Sequence, residues 1–137
     1  MSALVLTTFL HYIPVIVVTL KPNPRYHSAF IGYASVMSIS TTLSIVWHSL
    51  GEPSGMILYA DYLMAAAWSM YSLYLIEHID RKKMNISVPF EILVGVINLS
   101  ITLGTTYRVL DYKIWHSVWH ILSAIKSTYI TYNICYA

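Results

Sequence analysis

Residues 28–77 read SAFIGYASVMSISTTLSIVWHSL, then GEPSG, then MILYADYLMAAAWSMYSLYLIE. A helix needs roughly 20 predominantly apolar residues to cross a hydrocarbon core about 30 Å thick. The first and third segments each have that length, and the short segment between them contains the Gly and Pro residues that end helices. This stretch therefore predicts two membrane spans joined by a tight loop.

The same pattern extends in both directions along the chain. The 137 residues are 57% hydrophobic and only 10% charged, whereas globular proteins carry roughly 25% charged residues. Pro, Gly and charged residues gather at four places and divide the chain into apolar stretches. We therefore predict an integral membrane protein with one all-α domain, residues 1–137, and about five spans, at about 3–20, 28–50, 56–77, 87–104 and 114–136.

The charged residues predict an orientation and exclude one class of partner. Because the net charge is only +2 and its carriers are dispersed, no basic surface favours nucleic acid. Cytoplasmic loops carry the excess of Lys and Arg, which places the N-terminus outside or in a lumen, while the sequence does not indicate which membrane. The first and third loops hold five such residues, Lys21, Arg25, Arg81, Lys82 and Lys83, against two in the other loops, Arg108 and Lys113.

Ionisable residues converge on one side of this predicted bundle. His48 lies near the end of the second span, Asp61 near the start of the third, and His116 and His120 near the start of the fifth. In a five-span topology these helix ends face the same side of the membrane. Ionisable residues inside spans are costly, so each of them requires a partner or a function.

The spacing of these residues is suitable for a metal. His116 and His120 are four residues apart, so both imidazoles lie on one helix face and can reach one ion. Three histidines and a water form an open zinc site of the catalytic type. Ser44 lies one turn deeper than His48 on the same face, where it can orient a ligand, and Asp61 is the candidate proton acceptor. The ordinary alternatives are interface histidines that bond to backbone or headgroups, and a Ser44 hydroxyl that bonds to its own helix.

The motifs resemble those of a known superfamily. Ser44-Ile-Val-Trp-His48, Asp61-Tyr-Leu and His116-Ser-Val-Trp-His120-Ile-Leu-Ser-Ala are similar to the motifs of the CREST membrane hydrolases, which include alkaline ceramidases, progestin and adipoQ receptors and myomaker-like proteins. The resemblance implies zinc held by His48, His116 and His120, with Ser44 and Asp61 near the hydrolytic water. It also implies hydrolysis of a ceramide-like lipid amide. Family members usually have seven spans, two more than are predicted here.

Other functions remain open at this stage. A non-enzymatic protein of membrane fusion or of a receptor type would use the zinc structurally, and a homo-oligomer would supply further helices. His48 and His116 also fit a bis-histidine haem. Lys126, predicted near mid-membrane, fits a retinal Schiff base with Asp61 as counter-ion, although snorkelling or pairing with a polar neighbour is the simpler hypothesis. Glu91 is predicted at the cytosolic interface.

Overall fold

The computed structural model describes residues 1–20, 24–79 and 84–135. Every regular element in these ranges is helical, which confirms the all-α class. The elements in chain order are α1 (Ala3–Thr8), a 3-10 turn (Phe9–His11), α2 (Tyr12–Leu20), a 3-10 turn (Pro24–Tyr26), α3 (His27–Ser49), α4 (Met56–Ile79), α5 (Met84–Thr106) and α6 (Tyr112–Cys135).

The first predicted span is one helical segment with an irregularity in its middle. Ser2 caps α1 by accepting a hydrogen bond from the Val5 N–H at 3.3 Å. Pro14 has no N–H to donate to the carbonyl of Leu10, and the chain tightens into a 3-10 turn at this point, between α1 and α2. This 3-10 turn lies beside the residues that form the candidate site, since the ring centroids of His11 and His120 are 5.5 Å apart.

The observed helix ends differ from the predicted ones at the end of α4 and at the starts of α5 and α6. The charged loop predicted after the third span is shorter than expected, since α4 includes His78 and Ile79 and α5 begins at Met84. At α6, the Asp111 carboxylate accepts the Ile114 N–H at 3.0 Å. This N-cap starts the helix at Tyr112, two residues before the predicted position.

Four helical segments surround a core that contains both apolar and hydrogen-bonded residues. Tyr33 is completely buried, and its hydroxyl lies 2.8 Å from that of Ser72 and accepts the Trp68 indole N–H at 3.3 Å. The apolar cluster around these residues comprises Val18, Phe30, Tyr33, Met37, Trp68, Leu75, Ile76 and Ile130. The α1–α2 segment and α4 each pack against both α3 and α6, whereas within the described residues the backbones of α3 and α6 do not come close to each other and the two helices meet through side chains.

Three helical segments are long and apolar enough to cross a membrane by length and composition: Ala3–Leu20, Pro24–Ser49 and Val88–Thr106. Helices α4 and α6 have 24 residues each, which is sufficient length. They are less apolar because α4 carries Asp61 and four tyrosines, and α6 carries His116, His120 and Lys126. Large apolar side chains cover much of the outer surface, including Leu63 at 70% and Leu99 at 60% exposure, as expected of a surface that faces lipid.

Part of the predicted topology concerns residues outside those that the structure describes. Lys21, Arg81, Lys82 and Lys83, on which the predicted orientation depends, lie there, as does Tyr136 at the end of the predicted fifth span.

Candidate metal centre

Three buried histidines meet near the end of α3 and the start of α6. One ring nitrogen from each of His48, His116 and His120 lies within 4.8 Å of the others. The ring centroids are separated by 5.2 Å between His48 and His116, 5.0 Å between His48 and His120, and 4.7 Å between His116 and His120. The clustering predicted from helix spacing and span parity is therefore present.

Glu52 orients the ring of His48. The Nδ1 atom of His48 lies 2.8 Å from Oε1 of Glu52, and because a carboxylate only accepts, Nδ1 carries the proton. The other ring nitrogen, Nε2, is buried and has no hydrogen-bond partner among the described residues. This arrangement leaves a lone pair pointing at no donor, as a metal ligand requires.

The end of α3 brings Glu52 into this position. The N–H of Glu52 donates to the carbonyl of Trp47 at 3.0 Å, and the N–H of Gly51 donates to that of His48 at 3.3 Å. These two bonds form a Schellman motif, with Gly51 in the left-handed region at φ 79°. Glu52 follows with φ 63°, and the Trp47 indole N–H holds the loop by donating to the carbonyl of Pro53 at 2.9 Å.

Two hydroxyl groups orient the ring of His120. The Nδ1 atom of His120 lies 3.1 Å from the hydroxyls of both Thr7 and Thr8. Thr8 already donates its proton to the carbonyl of Leu4 at 2.7 Å, and Thr7 donates to that of Ala3 at 2.9 Å. Both hydroxyls therefore accept from His120, which puts the proton on Nδ1 and leaves Nε2 free for an ion.

Aromatic rings and Glu52 hold His116. Tyr112 stacks on its ring at a centroid distance of 4.9 Å, and Trp119 meets it edge to face at 4.8 Å. The Tyr112 hydroxyl also bonds to Glu52. One carboxylate thus links the helix that carries His48 to the helix that carries His116.

His11 supports the cluster from the 3-10 turn. Its Nε2 atom donates to the carbonyl of His120 at 3.0 Å, and its ring meets Trp68 edge to face. The side chain is buried, so His11 packs inside the bundle. Neither His11 nor the two threonines had a recognisable motif, because their role depends on the packing of α1 against α6.

Ser44 and Asp61 lie together in the cavity below the histidines. The Ser44 hydroxyl bonds to the Asp61 carboxylate, and both residues are buried. They line a cavity of about 370 Å³ that His116 and His120 also line. The two carboxylates of the site therefore have separate partners: Glu52 contacts His48, and Asp61 contacts Ser44.

A buried ion pair lies farther along the same cavity. Lys126 Nζ and Glu91 Oε1 are 2.6 Å apart, with side-chain exposures of 9% and 7%. Glu91 is therefore buried inside the bundle beside the positive charge of Lys126, and its position at the cytosolic interface stays a prediction. Of the hypotheses for Lys126, pairing with a polar neighbour is the one found, and the neighbouring carboxylate is Glu91 rather than Asp61.

The residues present fit a divalent metal ion. Zinc–nitrogen bonds of about 2.0–2.1 Å in a tetrahedron place ligand nitrogens roughly 3.3 Å apart, so small side-chain rotations suffice to close the three nitrogens around an ion. The protonated Nδ1 atoms of His48 and His120 leave the opposite nitrogen unprotonated on both rings. Comparison of the chain with protein-family models, with curated proteins and with solved structures gives no match.

Proposed function

We propose that the chain is a five-span membrane protein, related to the CREST superfamily, that hydrolyses an amide bond of a ceramide-like membrane lipid. Zinc held by His48, His116 and His120 is its proposed cofactor. One observation carries this proposal: the three buried histidines form a cluster, and two of them, His116 and His120, line the same cavity as the hydrogen-bonded pair of Ser44 and Asp61.

The chemistry requires activation of a water and protonation of the departing amine. When bound, zinc supplies the Lewis acidity that activates water and polarises a carbonyl. Asp61 accepts the proton that the attacking water loses and returns it to the amine, so that the amide and one water become a carboxylic acid and an amine. Ser44 fixes the Asp61 carboxylate through its hydroxyl group, and Glu52, Thr7 and Thr8 hold two of the histidine rings.

A paired substitution on α4 tests this function. Zinc-loaded protein in detergent is incubated with a ceramide-type amide, and released fatty acid is measured by mass spectrometry. We expect product from the wild type, loss of product in Asp61→Asn with zinc retained, and no change in Glu77→Gln, which alters an exposed carboxylate on the same helix. Failure of the zinc-loaded wild type to cleave any lipid amide contradicts the proposal, as does an unchanged rate in Asp61→Asn.

A specific observation supports a second candidate, a non-enzymatic fusion or receptor-like protein with structural zinc. Because the backbones of α3 and α6 do not come close to each other within the described residues, a zinc ion between His48 and the α6 histidines would cross-link the two helices. In that case a chelator lowers the unfolding temperature substantially, and no amide product forms. Retained stability after zinc removal, together with product from the loaded protein, excludes this candidate.

A further inference from the structure

The cavity continues along α6 past the histidines. Ser123 and Lys126 follow His120 by three and six residues, which is about 4.5 and 9 Å along a helix that rises 1.5 Å per residue. Both residues line the cavity, and so does Asn98 on α5. The volume of about 370 Å³ lies within the usual range of pockets for small ligands. The space below the metal centre is therefore large enough for part of a ligand.

Polar atoms in this lower part lack partners. Asn98 Nδ2 donates to the Ser123 hydroxyl at 3.0 Å, while Asn98 Oδ1 is buried and has no partner among the described residues. Lys126 has three N–H donors, and in the described ranges Glu91 is the only residue that accepts one of them. Buried polar groups are costly when unsatisfied. These atoms therefore suit a ligand that both donates and accepts hydrogen bonds.

The ion pair determines the charge of that guest. Glu91 already neutralises Lys126 at 2.6 Å, so an anion bound beside the pair would leave an uncompensated negative charge in a low-dielectric interior. A hydroxyl group carries no charge, can donate to Asn98 Oδ1 and can accept from Lys126. It also satisfies the Asn98 amide in either orientation, because it can act as donor and acceptor.

The cavity opens toward the lipid-facing side of the bundle. Most of its lining residues on α3 and α6, among them Ser40, His120 and Ser127, are buried, whereas Ala66 on α4 and Leu99 on α5 are exposed. The opening therefore lies between α4 and α5 and is apolar, while the interior is polar. A lipid that enters here can bury its polar part and leave its chain in the opening.

We infer that the lower cavity is a subsite for an uncharged, hydroxyl-bearing segment of the lipid, recognised by Asn98, Ser123 and Lys126. The hydroxyl lies one to two helical turns from the metal centre. The inference rests on the proposed function only in placing the amide group at the histidines; the recognition itself depends on unpaired polar atoms elsewhere in the cavity. It defines the substrate as an amide whose hydroxyl is separated from the cleaved bond by a short spacer.

Three matched amides test the subsite: N-(4-hydroxybutyl)octanamide, N-pentyloctanamide and N-(3-carboxypropyl)octanamide. The first two have equal length and differ in a hydroxyl replacing a methyl group, and the third ends in a carboxylate. Binding to the full chain in detergent is measured by calorimetry, with dissociation constants expressed as mole fractions in the micelle. We expect the hydroxyl compound to bind about tenfold more tightly than the other two, since a well-made buried hydrogen bond is worth about that factor.

Two substitutions separate recognition from general effects on the fold. Asn98→Leu keeps the branched shape of the side chain, removes both polar groups and should abolish the tenfold preference. Ser100→Ala, which removes an exposed hydroxyl that bonds only to its own helix, should leave it unchanged. Equal binding of the hydroxyl and methyl compounds to the wild type overturns the inference, and so does tightest binding of the carboxylate.

Hydrolysis and hydroxyl preference, measured on the same protein, distinguish failure of this inference from failure of the proposed function. His116→Ala removes a metal ligand but leaves the lower cavity intact, so the hydroxyl preference should persist without hydrolysis. A preference in the wild type without any hydrolysis contradicts the proposed enzyme alone. Hydrolysis by the wild type without a preference contradicts the subsite alone.

Discussion

The ionisable groups at the two ends of the cavity differ in whether their partners inside the bundle neutralise them. At the histidine end, His48 Nε2 is buried without a hydrogen-bond partner among the described residues, and the other nitrogen of its ring is bonded to Glu52. At the lysine end, Lys126 and Glu91 neutralise each other at 2.6 Å. The first arrangement needs a cation from outside and the second does not. Glu91 Oε2 is also buried without a partner among the described residues, so the difference lies in charge: ionisable residues inside a membrane bundle indicate an ion site only where no opposite charge in the bundle already neutralises them.

Removal of a ligand should have the largest effect on the histidine end. We expect His116→Ala to weaken zinc binding by more than about 100-fold, because loss of a group that merely orients a ligand already costs about 10- to 100-fold. Competition with a fluorescent chelator measures this affinity. His78→Ala, which changes an exposed histidine on α4, is the control, and equal losses in both variants would show that His116 has no special role.

Breaking the ion pair on one side should have the next largest effect, on stability rather than on zinc. Lys126→Met leaves Glu91 buried and unpaired, which costs about 3–5 kcal/mol of unfolding free energy. The double variant Lys126→Met with Glu91→Leu should recover most of this loss. Denaturant titration of the helical signal in micelles checks both, with Lys113→Met at the exposed start of α6 as control. If the double variant is no more stable than Lys126→Met, the idea that Lys126 and Glu91 neutralise each other is contradicted.

The orienting carboxylate should matter less than a ligand. Glu52→Gln replaces the acceptor of His48 Nδ1 by a weaker neutral one, and we expect zinc affinity to fall by about 10- to 100-fold while the fold persists. Circular dichroism verifies the helices, and the chelator competition gives the affinity. If the affinity stays at the wild-type value, the 2.8 Å contact between Glu52 and His48 has no bearing on the metal.

The smallest effect is expected at Tyr112, which acts on Glu52 from α6. Tyr112→Phe keeps the ring stacked on His116 but removes the hydroxyl that bonds to Glu52. One net hydrogen bond is worth about 1 kcal/mol, so we expect a loss of zinc affinity of about fivefold. A larger loss of zinc affinity in Tyr112→Phe than in Glu52→Gln would contradict the expectation that Tyr112 affects the zinc less than Glu52 does.

The sequence could predict the helices and the three histidines, because apolar length, loop composition and the four-residue spacing of His116 and His120 are local features. Span parity then indicates that His48 lies at the same end. The residues that bond to these rings cannot be identified from local sequence, because their contacts depend on how the helices pack. The packing of α1 against α6 brings Thr7, Thr8 and His11 to His120. The periodicity of a sequence does not indicate which helices are neighbours.

Loop geometry and burial explain the remaining differences. The separation of four residues between His48 and Glu52 indicates a contact only for a continuous helix, whereas here the contact depends on the left-handed residues after α3. A carboxylate near a helix end is usually solvated, so the sequence does not indicate that Glu91 is buried. Its partner, Lys126, is 35 residues away in sequence, and their pairing is decided by the packing of α5 on α6.

The most direct measurement is the metal content and coordination of the purified wild-type chain, by elemental analysis combined with zinc X-ray absorption spectroscopy. We expect about one zinc per chain with three imidazole nitrogens at about 2.0–2.1 Å. A chain that takes up no zinc when zinc is supplied, or zinc without imidazole scattering, would contradict the assignment of His48, His116 and His120 as a metal centre.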